Sequence, residues 1–122
     1  MRLFIADADK ELRVGLQILL HQEPGTRVIG VADKADSLLA QVKASQPDVL
    51  LIDWHLPGTP ATDLIADLQA LDLSPRIIVL SVRPEDKNEA VAAGADAFIG
   101  KIEPPNELLV YLRTLRDTNH VG

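Results

Sequence analysis

Five short runs rich in large aliphatic residues alternate with amphipathic stretches from one end of the chain to the other. This alternation constrains the fold more than any other feature. The runs are Arg2–Ala6, Arg27–Ala32, Asp48–Asp53, Arg76–Ser81 and Asp96–Gly100. They read as continuous apolar segments rather than in–out alternation, as expected of strands covered by helices on both faces. Between them, apolar residues recur at helical spacing. Leu12, Leu16, Leu19 and Leu20 line a first helix, and Leu38, Leu39 and Val42 a second. Leu64, Ile65, Leu68 and Leu71 line a third, and Leu108, Leu109, Leu112 and Leu115 a last. A fourth, from Asp86 to Ala93, is the weakest, with Val91 as its one sizeable apolar anchor.

Chain breakers fall where this alternation needs them. Pro24-Gly25 closes the first helix, Pro47 precedes the third strand, Pro57-Gly58 follows it, and Ser74-Pro75 leads into the fourth. Gly94 stands where a helix C-cap belongs, and Pro104-Pro105 opens the last helix. Five strand–helix units in a row imply a parallel sheet with right-handed crossovers, an α/β fold.

With 122 residues, 47% of them apolar and 25% charged, the chain has room for one domain. A chain this long buries roughly two thirds of its unfolded surface and needs no disulfide or structural metal to fold. It has no cysteine, which removes thiol catalysis and zinc-thiolate sites and fits a reducing cytoplasm. No apolar run is long enough to cross a bilayer, and the first residues lack a signal-peptide pattern. A formal charge of −6 argues against direct nucleic-acid binding.

In an open parallel sheet, ligands collect beyond the carboxyl ends of the strands. The polar residues there are Asp7 and Asp9 after the first strand, Asp53 at the end of the third, Ser81 at the fourth and Lys101 at the fifth. Carboxylates, a hydroxyl and an ammonium thus converge on one rim. A carboxylate cluster repels itself unless a cation sits in it, and hard oxygen ligands suit Mg²⁺. With a lysine opposite, such a rim could neutralise a phosphoryl group in flight, one carboxylate acting as nucleophile. Taken singly, each residue has a plainer reading: an Asp after a strand as a helix N-cap, the serine as a loop hydroxyl, the lysine as a solvated charge.

The strings Leu3-Phe4-Ile5-Ala6-Asp7, Pro47 to Gly58, Ile77-Ile78-Val79-Leu80-Ser81 and Ala93 to Lys101 resemble the receiver domain of two-component response regulators. The resemblance covers about residues 2 to 117, and the second and fourth strand segments are closest to receivers that precede a helix-turn-helix output domain. It implies a flavodoxin-like, doubly wound (βα)5 sheet of strand order 2-1-3-4-5, with 1–117 as the receiver and 118–122 as a tail or the start of a linker. It implies a signalling module of the cytoplasm, used in transcription regulation, rather than a dedicated enzyme. Asp53 matches the phosphoacceptor, and Asp7, Asp53 and the His55 backbone carbonyl match the Mg²⁺ ligands. Ser81, Lys101 and Phe98 match the switch hydroxyl, the phosphoryl-contacting lysine and the aromatic whose rotamer follows the hydroxyl. The implied partners are a histidine kinase or phosphotransfer protein, docking near the first helix. A second copy would pair through the face of helix four, strand five and helix five.

Three positions depart from the family pattern. Ala8 stands where the direct carboxylate ligand belongs, and a methyl group cannot coordinate a metal; Asp9 either substitutes from one position along or caps the first helix. Val82 follows the switch hydroxyl where a small residue is usual and narrows access for phosphodonors and water. Phe98 lacks the hydroxyl of a tyrosine. Two alternatives follow. Ala8 motivates a pseudo-receiver, an interaction module independent of phosphate. Ile5-Ala6-Asp7-Ala8-Asp9 also resembles the first motif of haloacid-dehalogenase-type phosphatases, with Asp7 as nucleophile and Asp9 as general acid, although that family leaves Asp53 unexplained.

Overall fold

A computed structural model describes residues 1–101 and 105–121. Five parallel strands form one sheet in the order β2-β1-β3-β4-β5. They are β1 (Arg2–Ala6), β2 (Arg27–Ala32), β3 (Val49–Asp53), β4 (Arg76–Ser81) and β5 (Ala97–Gly100). The helices are α1 (Lys10–His21), α2 (Leu38–Ser45), α3 (Ala61–Gln69), α4 (Lys87–Ala93) and α5 (Asn106–Val121), with a 3-10 turn over Pro84–Asp86 ahead of α4. This is the doubly wound order that the family resemblance implies. Among the described residues no helix is long and apolar enough to cross a membrane.

The two faces of the sheet bury separate cores, divided by the two-residue period of strand side chains. Leu3, Ile5, Val49, Leu51, Ile78, Leu80 and Ile99 pack under α1 and α5 through Leu16, Leu20, Leu108 and Leu112. Phe4, Ala6, Leu50, Ile52, Ile77 and Val79 pack under α2, α3 and α4 through Leu38, Val42, Leu64, Ile65, Leu68 and Ala90. The central strand β3 is buried along its whole length, hence its unbroken apolar run.

Local chemistry sets the element ends. The third and fifth strands each begin one residue later than the sequence suggests, because an aspartate side chain takes over the ladder. Asp48 Oδ2 accepts the Arg2 N–H at 2.7 Å, and Asp96 Oδ2 accepts the Ile77 N–H at 2.8 Å. The weak fourth helix is split: Pro84 starts a 3-10 turn, the α-helix begins only at Lys87, and Gly94 ends it at φ 112°, a left-handed conformation that suits glycine. The last helix continues through Val121, past the point where the sequence suggests a tail; Pro104 of the expected Pro104-Pro105 start lies outside the described residues. Between β1 and β2 the register shifts at Leu3/Phe4, so that Phe4 lies opposite Gly30. A Cβ built on Gly30 would stand 2.5 Å from the Phe4 ring, so the glycine is what lets the ring lie against the neighbouring strand.

Candidate functional site

Strand parity decides which side chains meet at the carboxyl edge. Asp7 continues the parity of Leu3 and Ile5 one residue past β1, Asp53 that of Val49 and Leu51, and Lys101 that of Ile99 one residue past β5. All three are therefore delivered on the α1/α5 side. Ser81 has the opposite parity, following Ile77 and Val79, and is delivered toward α4. Ladder bonds continue beyond the strand ends and fix this edge. The Asp7 N–H donates to the Ala32 carbonyl at 3.0 Å, the Trp54 N–H to Leu80 at 2.9 Å, and the Lys101 N–H to Ser81 at 2.8 Å. Arg13 adds a guanidinium bond to the Asp7 carbonyl at 2.6 Å, a support the sequence did not suggest.

Lys101 Nζ lies 2.7 Å from Asp7 Oδ2 and 3.2 Å from Asp53 Oδ2. The side chains are 1% exposed for Asp7, 9% for Asp53 and 13% for Lys101, so the charges interact away from bulk water. One ammonium between two carboxylates leaves a negative charge over. Asp7 Oδ1 accepts the Asp9 N–H at 2.8 Å, and Asp53 Oδ1 accepts the His55 N–H at 3.0 Å. Asp7 Oδ2 is buried and accepts no aligned hydrogen bond among the described residues; the nearby ammonium offers it attraction without hydrogen-bond geometry.

This orphaned oxygen tests the fit of a hard divalent cation. Asp7, Asp53 and the His55 carbonyl are donors of the right kind, all oxygen. They are few: no group of three or more His, Cys, Asp and Glu side chains lies close enough to hold a metal among the described residues. Asp9 serves the helix through one of its oxygens. Its backbone is extended (φ −78°, ψ 108°), and its carboxylate accepts the Glu11 and Leu12 N–H groups at 3.0 and 3.2 Å, an N-cap on α1.

Ser81 belongs to a second network. Its hydroxyl donates to Asp86 Oδ2 at 2.7 Å and accepts the Arg83 N–H at 3.0 Å. The same Asp86 oxygen lies 2.8 Å from His55 Nε2. Asp86 is buried (8% exposed), placed there by the 3-10 turn that begins at Pro84 and folds the chain back over the end of β4. Burial pushes its carboxyl pKa up, but the Ser81 hydroxyl and then the His55 imidazole outweigh burial and hold it below the ordinary carboxylate range. In the sequence Asp86 has no role beyond starting a helix and His55 none beyond its carbonyl; the only signal is a serine and an aspartate five residues apart around a proline. Phe98 is half-buried against the α4-side core, opposite Val79, and Val82 stands exposed at the rim.

The model of the response regulator receiver domain family matches residues 3–113. The nitrate/nitrite response regulator NarL of Escherichia coli K12 is 30% identical over 109 residues, covering 88% of this chain and 50% of that protein. The DNA-binding transcriptional activator DevR/DosR of Mycobacterium tuberculosis is 30% identical over 103 residues, covering 83% and 48%. The chain thus spans about half the length of the curated relatives it matches. Among solved structures, the signal receiver domain of M. tuberculosis NarL superposes with a TM-score of 0.84 at 25% identity, covering 95% of both chains. A LuxR-family regulator from Aurantimonas gives a TM-score of 0.85 at 23% identity, covering 96% of this chain and 85% of that one. These matches displace the haloacid-dehalogenase alternative, whose general acid, Asp9, is here a helix cap. A doubly wound sheet, an acid–lysine cluster at its carboxyl edge and a family match across nearly the whole chain agree, and the chain belongs to the response regulator receiver domains.

Proposed function

We propose that this receiver domain takes a phosphoryl group onto Asp53 from a histidine kinase or phosphotransfer protein. The observation that carries the reading is the position of Asp53: the end of the central strand, buried, with an ammonium 3.2 Å from its carboxylate. An Asp53 oxygen attacks the phosphorus of a phosphohistidine. The new O–P bond forms as the N–P bond breaks, and its electron pair stays on the imidazole nitrogen. Lys101 then stands against the transferred oxygens, where a fixed positive charge stabilises the charge that builds up. Asp7 holds Lys101 in place from the other side. The Ser81 hydroxyl turns to the phosphoryl group, and Phe98 follows it into the space vacated toward α4. The module accepts and reports phosphate and is not a dedicated enzyme.

Asp7, Asp53 and the His55 carbonyl would hold Mg²⁺, which when bound supplies further neutralisation of the phosphoryl oxygens. Asp9 spends one oxygen, Oδ1, on the Glu11 and Leu12 N–H groups, and turning its carboxylate toward the metal would strain a cap worth about 1 kcal/mol of helix stability. Ala8 removes the usual direct carboxylate ligand, so metal binding is expected to be weak.

Val14 and Ile18 stand exposed on α1, apolar surface suited to a docking phosphodonor. Val91 on α4 and Val110 on α5 are similarly exposed, which supports pairing of two copies through the face of α4, β5 and α5. We read residues 1–117 as the receiver and 118–122 as the start of a linker, in a protein of the cytoplasm.

Phosphoramidate with Mg²⁺ and intact-mass detection tests the assignment. The wild-type protein is expected to gain a single phosphoryl group and Asp53→Asn none; phosphorylation of Asp53→Asn at the wild-type rate would refute it. A second reading, a phosphate-independent interaction module, is favoured by one observation, the methyl of Ala8 beside an Asp9 engaged as the N-cap of α1. A folded wild-type protein that takes no phosphate would select it.

A further inference from the structure

The Ser81 hydroxyl has a single proton, and that proton is already committed. It is donated to Asp86 Oδ2 at 2.7 Å, while the hydroxyl oxygen is occupied by the Arg83 N–H at 3.0 Å. A serine hydroxyl can make one donor bond at a time, so it cannot donate to a phosphoryl oxygen on Asp53 without leaving Asp86. The acceptor it must leave is a strong one, a carboxylate 8% exposed to solvent, and bonds to ionised acceptors exceed those between neutral groups. Asp86 is itself held from a second side by His55 Nε2 at 2.8 Å. His55 in turn donates its backbone N–H to Asp53 Oδ1 at 3.0 Å. A continuous chain of contacts therefore runs from the phosphoacceptor through His55 and Asp86 to the switch hydroxyl.

From this geometry we infer that Asp86 is a positioning residue that latches Ser81 in its unphosphorylated orientation and so sets the threshold for the switch. The inference deepens the phosphoacceptor reading and rests on it. Phosphoryl oxygens on Asp53 compete with Asp86 for one proton, and the position of the equilibrium depends on both. When the hydroxyl leaves, Asp86 stays partnered by His55, so the buried carboxylate is not stranded and the released state costs less than loss of the whole network. The Arg83 N–H loses its acceptor at the same moment, which carries the event into the segment leading to the 3-10 turn and α4.

The test is a double-mutant cycle on beryllofluoride binding in the presence of Mg²⁺, read by amide spectra of the labelled protein. Asp86→Ala is expected to bind beryllofluoride about tenfold more tightly than wild type, since one hydrogen bond to a charged group no longer opposes the switch. In a Ser81→Ala background, where no hydroxyl needs releasing, Asp86→Ala should leave the affinity unchanged. Equal effects in both backgrounds, or none in either, would overturn the latch. Asp86→Asn keeps an acceptor without the charge and should fall between wild type and Asp86→Ala; this variant carries the cycle if the alanine variant does not fold. The Ser81 side-chain rotamer, from scalar couplings without beryllofluoride, reads the latch independently of phosphate chemistry. A single rotamer in wild type that becomes averaged in Asp86→Ala supports it, and one unchanged rotamer in both overturns it. A wild-type protein that ignores beryllofluoride would count against the phosphoacceptor reading, while the rotamer comparison would still decide the latch.

Discussion

Replacing Lys101 with methionine probes the site most severely, because it removes a charge while keeping most of the side-chain stem. Lys101 stands 2.7 Å from Asp7 Oδ2 and 3.2 Å from Asp53 Oδ2, and neither carboxylate has another cationic side chain within ion-pair distance among the described residues. Asp7 is fully buried and already has an oxygen without a hydrogen bond. Removing one partner of a buried ion pair typically costs 3–5 kcal/mol, mostly from the charge left behind. Lys101 is 13% exposed at the rim, where water can enter the vacated space, so the low end applies, about 3 kcal/mol. That is a large share of the ~5–15 kcal/mol that holds a domain together, yet it leaves the protein folded. With a urea slope of about 2 kcal/mol/M for a chain of this size, the unfolding midpoint should fall by about 1.5 M. The cost should shrink to about half in an Asp7→Asn background, where a single carboxylate is left unpaired. A Lys101→Met midpoint within about 0.2 M of wild type would show that the ammonium is not balancing the carboxylates.

Other consequences are independent of that one. Gly30→Ala places a methyl 2.5 Å from a Phe4 ring that is only 2% exposed, and should destabilise the domain by about 1–3 kcal/mol in urea unfolding; Phe4→Leu should relieve most of this. Asp9→Ala should cost about 1 kcal/mol of stability through the lost cap on α1 while leaving Mg²⁺ affinity unchanged, and a lowered affinity would instead make Asp9 a ligand. Glu23 receives bonds from Arg113 at 2.6 and 3.0 Å, and these hydrogen bonds, more than the attraction of Arg113 and Arg116, hold its carboxyl below the ordinary value against the opposing effect of burial. A carboxyl lowered by folding contributes stability above its unfolded pKa, near 4.3, and loses it as pH falls through the folded value. The difference in melting temperature between wild type and Glu23→Gln should therefore be full at pH 7 and close as the solution is acidified below about pH 4. A difference that persists into strong acid would contradict it.

Most of the fold is legible in the sequence because buried parallel strands leave uninterrupted apolar runs, and β1, β2 and β4 match their runs to the residue. The ends of β3 and β5 are not, because there a side chain, Asp48 or Asp96, does what a backbone group would otherwise do. The acid–lysine cluster is readable for the same reason as the strands: parity along a strand carries Asp7, Asp53 and Lys101 to one side. Whether Asp9 faces a metal or caps a helix depends on how the chain leaves β1, and the N–H groups of Glu11 and Leu12 are closer claimants on its carboxylate than any distant site. The Ser81–Asp86–His55 network was hidden. It depends on a 3-10 turn folding back across the strand end and on a histidine from another loop, and neither leaves a periodic trace.

Trp54, the only tryptophan, is next to Asp53 in sequence and gives a built-in reporter of a phosphoacceptor site with a weakened metal set. Its fluorescence should respond to Mg²⁺ weakly but saturably, then change again on adding beryllofluoride, with both responses lost in Asp53→Asn. No response to either, in a protein shown to be folded, would rule out a phosphoacceptor site at Asp53 and leave an interaction module that does not use phosphate.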